Sequence, residues 1–159
     1  MNLDEYLADF DRIPSVTFAQ LAAGYAGAGW AFTVDDWEID TWFSWRETLA
    51  AHHVHATFFV AKYATFTPEQ KAKLKQLADD GHDIEVHGVN HVNATETVAS
   101  IGFDRWYADE VAPSRAALEA DGYKPVAFAY PYGAHTREID RQLSSKFALI
   151  RTTGAANCF

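Results

Sequence analysis

Residues 55–86, HATFFVAKYATFTPEQKAKLKQLADDGHDIEV, decide the fold. Residues 55–60 form a short apolar run rich in aromatic and β-branched side chains, the pattern of a strand buried on both faces. A helix start follows. Thr67 stands as its N-cap, Pro68 fits the first helical position, and Gln70 completes a capping box. Leu74 and Leu77 supply the apolar stripe, and Gly81 is placed to stop the helix. Residues 83–86, DIEV, then read as a second strand. Strand, crossover helix and strand in this order make a parallel β/α unit.

The alternation extends both ways. Upstream, residues 30–34 (WAFTV) read as a strand ending in acid, and residues 41–51 as a helix with Trp42, Trp45 and Leu49 at helical spacing. Downstream, residues 103–121 predict one long helix, with Tyr107, Val111, Ser114 and Leu118 on one face and Gly122 closing it. Residues 125–130 predict a strand, residues 136–143 a helix and residues 147–151 a last strand. The expected fold is α/β, a distorted or incomplete (β/α) barrel of parallel strands. Residues 1–159 are expected to form one domain, with 1–29 a lead-in and 30–159 the β/α units.

Charge narrows the partners. The 159 residues carry 13 Lys and Arg against 22 Asp and Glu, a net charge of −9, which disfavours nucleic acid and anionic membrane surfaces. Cys158 has no second cysteine to pair with, which fits a reducing compartment or a fold needing no staples. The N-terminal MNLDEYLADFDR is acidic where a secretory leader is basic, so a cytoplasmic location is expected, with export of a longer natural form left open. Residues 13–34 are uncharged, but Pro14, Gln20, Gly24, Gly27 and Gly29 interrupt them as a membrane span.

Parallel α/β folds put their chemistry at the C-terminal ends of the strands. At those ends stand Asp35-Asp36-Trp37, Ala61-Lys62-Tyr63, His87-Gly-Val-Asn-His91, Pro131-Tyr132-Gly133 and Thr152-Thr153. His87 and His91 would share one face if the chain turned helically after its strand. Two imidazoles and a carboxylate from another strand end make an open site for a divalent cation. The paired Asp residues suit a division of labour, one on the cation and one as a base, provided the chain curls at the strand end. Each signal has a plainer reading alone: a chance HxxxH among seven histidines, and a solvated turn.

Taken in order, the motifs resemble those of the NodB-homology polysaccharide deacetylases, carbohydrate esterase family four. Residues 33–37 (TVDDW) are similar to the family's TFDDG, 56–60 (ATFFV) to its second strand, 81–91 (GHDIEVHGVNH) to its GHEIGxHGxxH, and 128–133 to its FAYPYG. The resemblance implies that Asp35 is the general base, that Asp36, His87 and His91 hold one divalent metal, with zinc the usual ion, and that the Tyr132 N–H helps hold the oxyanion in a loop shaped by Pro131 and Gly133. It implies hydrolysis of an N-acetyl group on an amino-sugar polysaccharide or oligosaccharide. The alternatives are an amidase on a small non-sugar amide or imide, and an inactive metal- or glycan-binding module.

Three departures bear on activity. Trp37 replaces a glycine and is a candidate to stack on a sugar ring. The arginine that pairs with the base in some members is missing from residues 128–133. Neither the later Asp–Trp segment nor the LxH segment, whose histidine protonates the leaving amine, is found, so His135 is the candidate stand-in. An incomplete barrel, strands from another subunit and a shortened sequence are the three readings of that gap. An incomplete barrel would expose a sheet edge, which favours a homo-oligomer. Elsewhere His52, His53 and His55 are expected at the end opposite the site, His82 as structural, and Asn93 as a cap or turn residue.

Overall fold

The computed structural model describes residues 2–153; Cys158 lies outside the described residues. Five strands, β1 (Thr33–Asp36), β2 (Thr57–Val60), β3 (Asp83–Val86), β4 (Ala127–Ala129) and β5 (Leu149–Arg151), form one sheet in the order β1-β2-β3-β4-β5. Every neighbouring pair is parallel. Strand order follows chain order without reversal, so the sheet curls as a barrel does and has no switch point of the open-sheet kind. It is a half-barrel.

Alternation along the strands divides the core in two. Phe58, Val60, Ile84, Val86, Phe128 and Tyr130 face the helices and belong to the main hydrophobic cluster. Phe59, Ala127 and Ala129 form a second, smaller cluster with Phe18 and Leu149 on the concave side. Asp35 is in register with Phe59, and Phe59 with Glu85, so these residues share the concave face.

Local sequence explains most of the helices. Residues Leu3–Ala8 (α1) and Phe18–Ala22 (α2) are short helices in the lead-in, both opened by capping boxes. The backbone N–H groups of Phe18 and Ala19 donate to Thr57 Oγ1 and Asp83 Oδ2, at 3.0 and 2.8 Å, which docks α2 on the N-terminal ends of β2 and β3. The helix expected over 41–51 is two, Ile39–Ser44 (α3) and Arg46–Ala51 (α4), hinged at Trp45. Trp42 stacks on Phe58 with ring centroids 5.0 Å apart, and burying such a pair stabilises the fold by about 1.5–3 kcal/mol per side chain. Residues Pro68–Asp79 (α5) start at the Thr67–Gln70 capping box, bury Leu74 and Leu77, and stop before Gly81, whose φ is +94°.

Residues Ala94–Ile101 (α6) are capped by Asn93, whose Oδ1 accepts from the Glu96 N–H at 3.1 Å. The long helix expected over 103–121 is interrupted. It runs as Phe103–Trp106 (α7), a π-helical turn at Tyr107–Val111, and Ala112–Ala120 (α8). Pro113 has no N–H to give the carbonyl of Asp109, and its ring crowds that carbonyl, so the regular ladder widens there. Residues Arg137–Leu143 (α9) follow β4.

Candidate metal centre

Three chain segments meet at the C-terminal rim of the half-barrel. Asp36 ends β1 with φ of 91°, which breaks the strand's alternation and lets adjacent Asp35 and Asp36 serve one mouth. Asp36 Oδ1 lies 3.0 Å from Nε2 of His91 and 3.7 Å from Nε2 of His87. The ligand atoms of the three residues all lie within 4.8 Å of one another.

The tautomer of His87 follows from its partner. Its Nδ1 is 2.8 Å from the carbonyl oxygen of Ala129, and a carbonyl only accepts, so Nδ1 carries the proton and Nε2 presents its lone pair toward Asp36. Burial holds the His87 pKa below the usual imidazole range, against the opposing pull of Asp35. Two imidazoles and one carboxylate around one centre fit a divalent cation of the zinc type.

The turn between the histidines is not helical. Gly88 and His91 take left-handed conformations, with φ of 94° and 58°, and these two reversals bring the rings together at 4.9 Å between centroids. Lys62 and Tyr132 on the same rim also have positive φ, 55° and 59°. Non-glycine residues held there cost of order 1–3 kcal/mol each, and such strain clusters at functional sites.

Asp35 faces the concave side and accepts a hydrogen bond from the guanidinium of Arg151, on β5. That guanidinium also lies over the Phe59 ring, 4.9 Å from its centroid. The arginine missing from residues 128–133 thus has a counterpart two elements later. Sequence reasoning missed it; the signal was a lone cation closing the apolar run FALIR at a strand end.

The PYG turn carries the remaining rim residues. Pro131 is buried, while the Tyr132 side chain is 67% exposed, its ring 4.7 Å from that of His91. Gly133 has φ of 64°, and a Cβ there would sit 1.9 Å from Thr153 Oγ1, so only glycine fits. Trp37 places its ring edge-on to His91 at 5.4 Å, and the ammonium of Lys62 covers its face at 3.5 Å. Any sugar stacking on that face must displace Lys62, a residue the sequence reading left without a role.

His135 is not one of the three converging ligands. Its Nδ1 is 2.9 Å from Asp140 Oδ2, while Tyr130 donates its hydroxyl to Asp140 Oδ1 at 2.9 Å. It lines a groove of about 760 Å³ along β5, together with Phe18, Leu149 and Arg151. At the opposite end of the sheet, His53, His55 and His82 line a separate cleft with Arg46 and Asp80. His82 Nδ1 accepts from the Ala56 N–H at 3.0 Å, and burial lowers its pKa to about 4. His52 bridges Asp11 and Asp4 at 2.6 and 3.1 Å, tying the lead-in to α4.

The profile of the polysaccharide deacetylase family matches residues 26–149. The chain belongs to that family. No curated protein sequence matches it. Among solved structures it resembles the Streptococcus pyogenes deacetylase PplD (TM-score 0.78, 20% identity), covering 95% of this chain and 71% of that one. It resembles IcaB from Ammonifex degensii with TM-score 0.73 and 21% identity, over 93% of this chain and 72% of the other. The chitin deacetylase of the fungal pathogen Colletotrichum lindemuthianum is similar at TM-score 0.60 and 19% identity, over 77% of this chain and 54% of that one. These likenesses place the curled half-barrel in the NodB-type fold. No helix among the described residues is long and apolar enough to cross a membrane.

Proposed function

We propose that the chain is a metal-dependent hydrolase that removes N-acetyl groups from an amino-sugar polysaccharide or oligosaccharide. The observation that carries this reading is the convergence of Asp36, His87 and His91 on one centre, with Asp35 held beside it by Arg151. Family membership supports the deacetylase chemistry.

Asp36, His87 and His91 would hold one divalent ion, zinc by their donor set, and that ion would supply an acidified water and polarise the amide carbonyl. Asp35 takes the proton of the attacking water, and Arg151 fixes its carboxylate for that transfer. The Tyr132 N–H donates to the oxygen that gains charge, in a turn held by Pro131 and Gly133. His135 gives a proton to the leaving amine from Nε2, its Nδ1 being committed to Asp140. An amine leaves poorly without that proton. Trp37 borders the entrance and offers a sugar its ring once Lys62 moves aside.

The test is acetate release by the zinc-supplemented chain from N-acetylated chito-oligosaccharides and from a panel of simple amides and imides. The reading predicts turnover of the saccharides alone, falling about 10²–10⁴-fold in Asp35→Asn. Turnover of the small amides instead would make it an amidase. Saccharide binding without acetate release would make it a binding module.

A further inference from the structure

The loop between the two histidines is held from behind by one buried carboxylate. Glu110 lies in the π-helical turn Tyr107–Val111, 20 residues beyond Asn90. Its Oε2 accepts from the backbone N–H of Asn90 at 2.8 Å, and its Oε1 accepts from the Asn90 side-chain amide at 2.5 Å. Its own backbone carbonyl accepts from the N–H of Val89 at 3.0 Å. One residue therefore receives three hydrogen bonds from the two residues that precede His91. On the other side the Gly88 carbonyl accepts from the Lys62 N–H at 3.2 Å.

We infer that Glu110 is a positioning residue for the metal centre: it clamps the loop between His87 and His91 and so holds His91 in its left-handed conformation, aimed at Asp36. This inference rests on the metal-dependent reading above. The physical need is plain. His91 has φ of 58°, a conformation disfavoured for a side-chain-bearing residue, and persists only if its neighbours over-determine it. The loop has no helical ladder of its own. Glu110 supplies the missing partners, and the π-helical turn presents the side chain and the carbonyl of one residue to the same loop. A Cβ at Gly88 would sit 3.8 Å from Glu110 Oε2, in ordinary contact, so the φ of 94° and not the space calls for glycine there.

The experiment measures zinc affinity by chelator competition for the wild-type chain, Glu110→Ala and Glu110→Gln, with hydrogen exchange of the Asn90 amide in the metal-free proteins. Glu110→Ala is expected to lose about 10–100-fold in zinc affinity and to unprotect the Asn90 amide, with its far-ultraviolet dichroism retained. Glu110→Gln is expected to stay within severalfold of wild type, because Asn90 can turn its amide over and accept from the new NH₂ group. Should Glu110→Ala unfold, Asn90→Ala removes one bond of the clamp from the loop side and is expected to weaken zinc in the same direction. Wild-type zinc affinity in the alanine variants, with the wild-type chain binding well, would overturn this inference alone. A wild-type chain that binds no zinc would overturn the metal-dependent reading together with it.

Discussion

Arg151, the last residue of β5, donates to the carboxylate of Asp35 near the end of β1, closing an ion pair between the first and last strands of the half-barrel. The pair is mostly buried, with side-chain exposures of 17% and 26%. A carboxylate that must take a proton in flight gains from such a fixed partner, since a small misplacement of a reacting group can cost about a hundredfold in rate. Arg151→Met is therefore expected to lower kcat by about that factor while leaving zinc affinity unchanged. Steady-state kinetics alongside a zinc titration check this; unchanged kcat removes Arg151 from the site.

Gly133→Ala tests the turn that presents Tyr132. The substitution needs a left-handed φ and drives a methyl group into Thr153 Oγ1. The turn must shift, and the Tyr132 N–H shifts with it. Losing one donor to a developing oxyanion typically raises the barrier by about 3 kcal/mol, or about two orders of magnitude in kcat. The expected outcome is that loss with the metal retained.

Glu85 makes stability depend on pH. It is fully buried in β3, and its Oε2 accepts from the N–H groups of Val126 and Ala127 at 2.8 and 2.7 Å. Burial first, and the neighbouring Asp83 second, push its pKa from 4.5 up to about 9. The folded chain thus holds a proton that the unfolded chain releases above about pH 4.5. Its contribution is greatest below that point, declines as pH rises through the interval, and is lost above about 9. The slope is at most about 1.4 kcal/mol per pH unit. Glu85→Gln keeps an acceptor for the N–H groups of Val126 and Ala127 and removes the titrating proton, so urea unfolding between about pH 5 and pH 9 should show a flatter decline. An identical slope would show that Glu85 does not titrate there.

Much of this fold is legible in local sequence, and the reasons differ by element. The residues of α5 announce themselves because the cap, the Pro68 start and the Gly81 stop all act within one helix. The extent of β3 reads directly as DIEV, bounded by Gly81-His82 before it and His87-Gly88 after it. The break at Tyr107–Val111 is harder to read, because apolar spacing persists through a π-helical turn and Pro113 sits where a new helix could begin. The short helices α1 and α2 lack the length for a periodic signal, although each carries a capping box.

At the site, residue types and order announce Asp36, His87 and His91, and two left-handed residues, rather than the helical turn that would also put the histidines on one face, bring the rings together. The contacts of Arg151, Lys62 and Glu110 were not legible for one physical reason. Each acts through a contact between distant segments, and no spacing rule links residue 35 to 151 or 90 to 110.

The central claim is that Asp36, His87 and His91 grip one cation. Elemental analysis of wild-type, Asp35→Asn and Asp36→Ala protein, each purified without added metal, tests it most directly. The account predicts about one divalent ion per chain, chiefly zinc, in the first two and little in Asp36→Ala. Metal-free wild-type protein that takes up no zinc on titration, or Asp36→Ala protein that keeps its full complement, would contradict it.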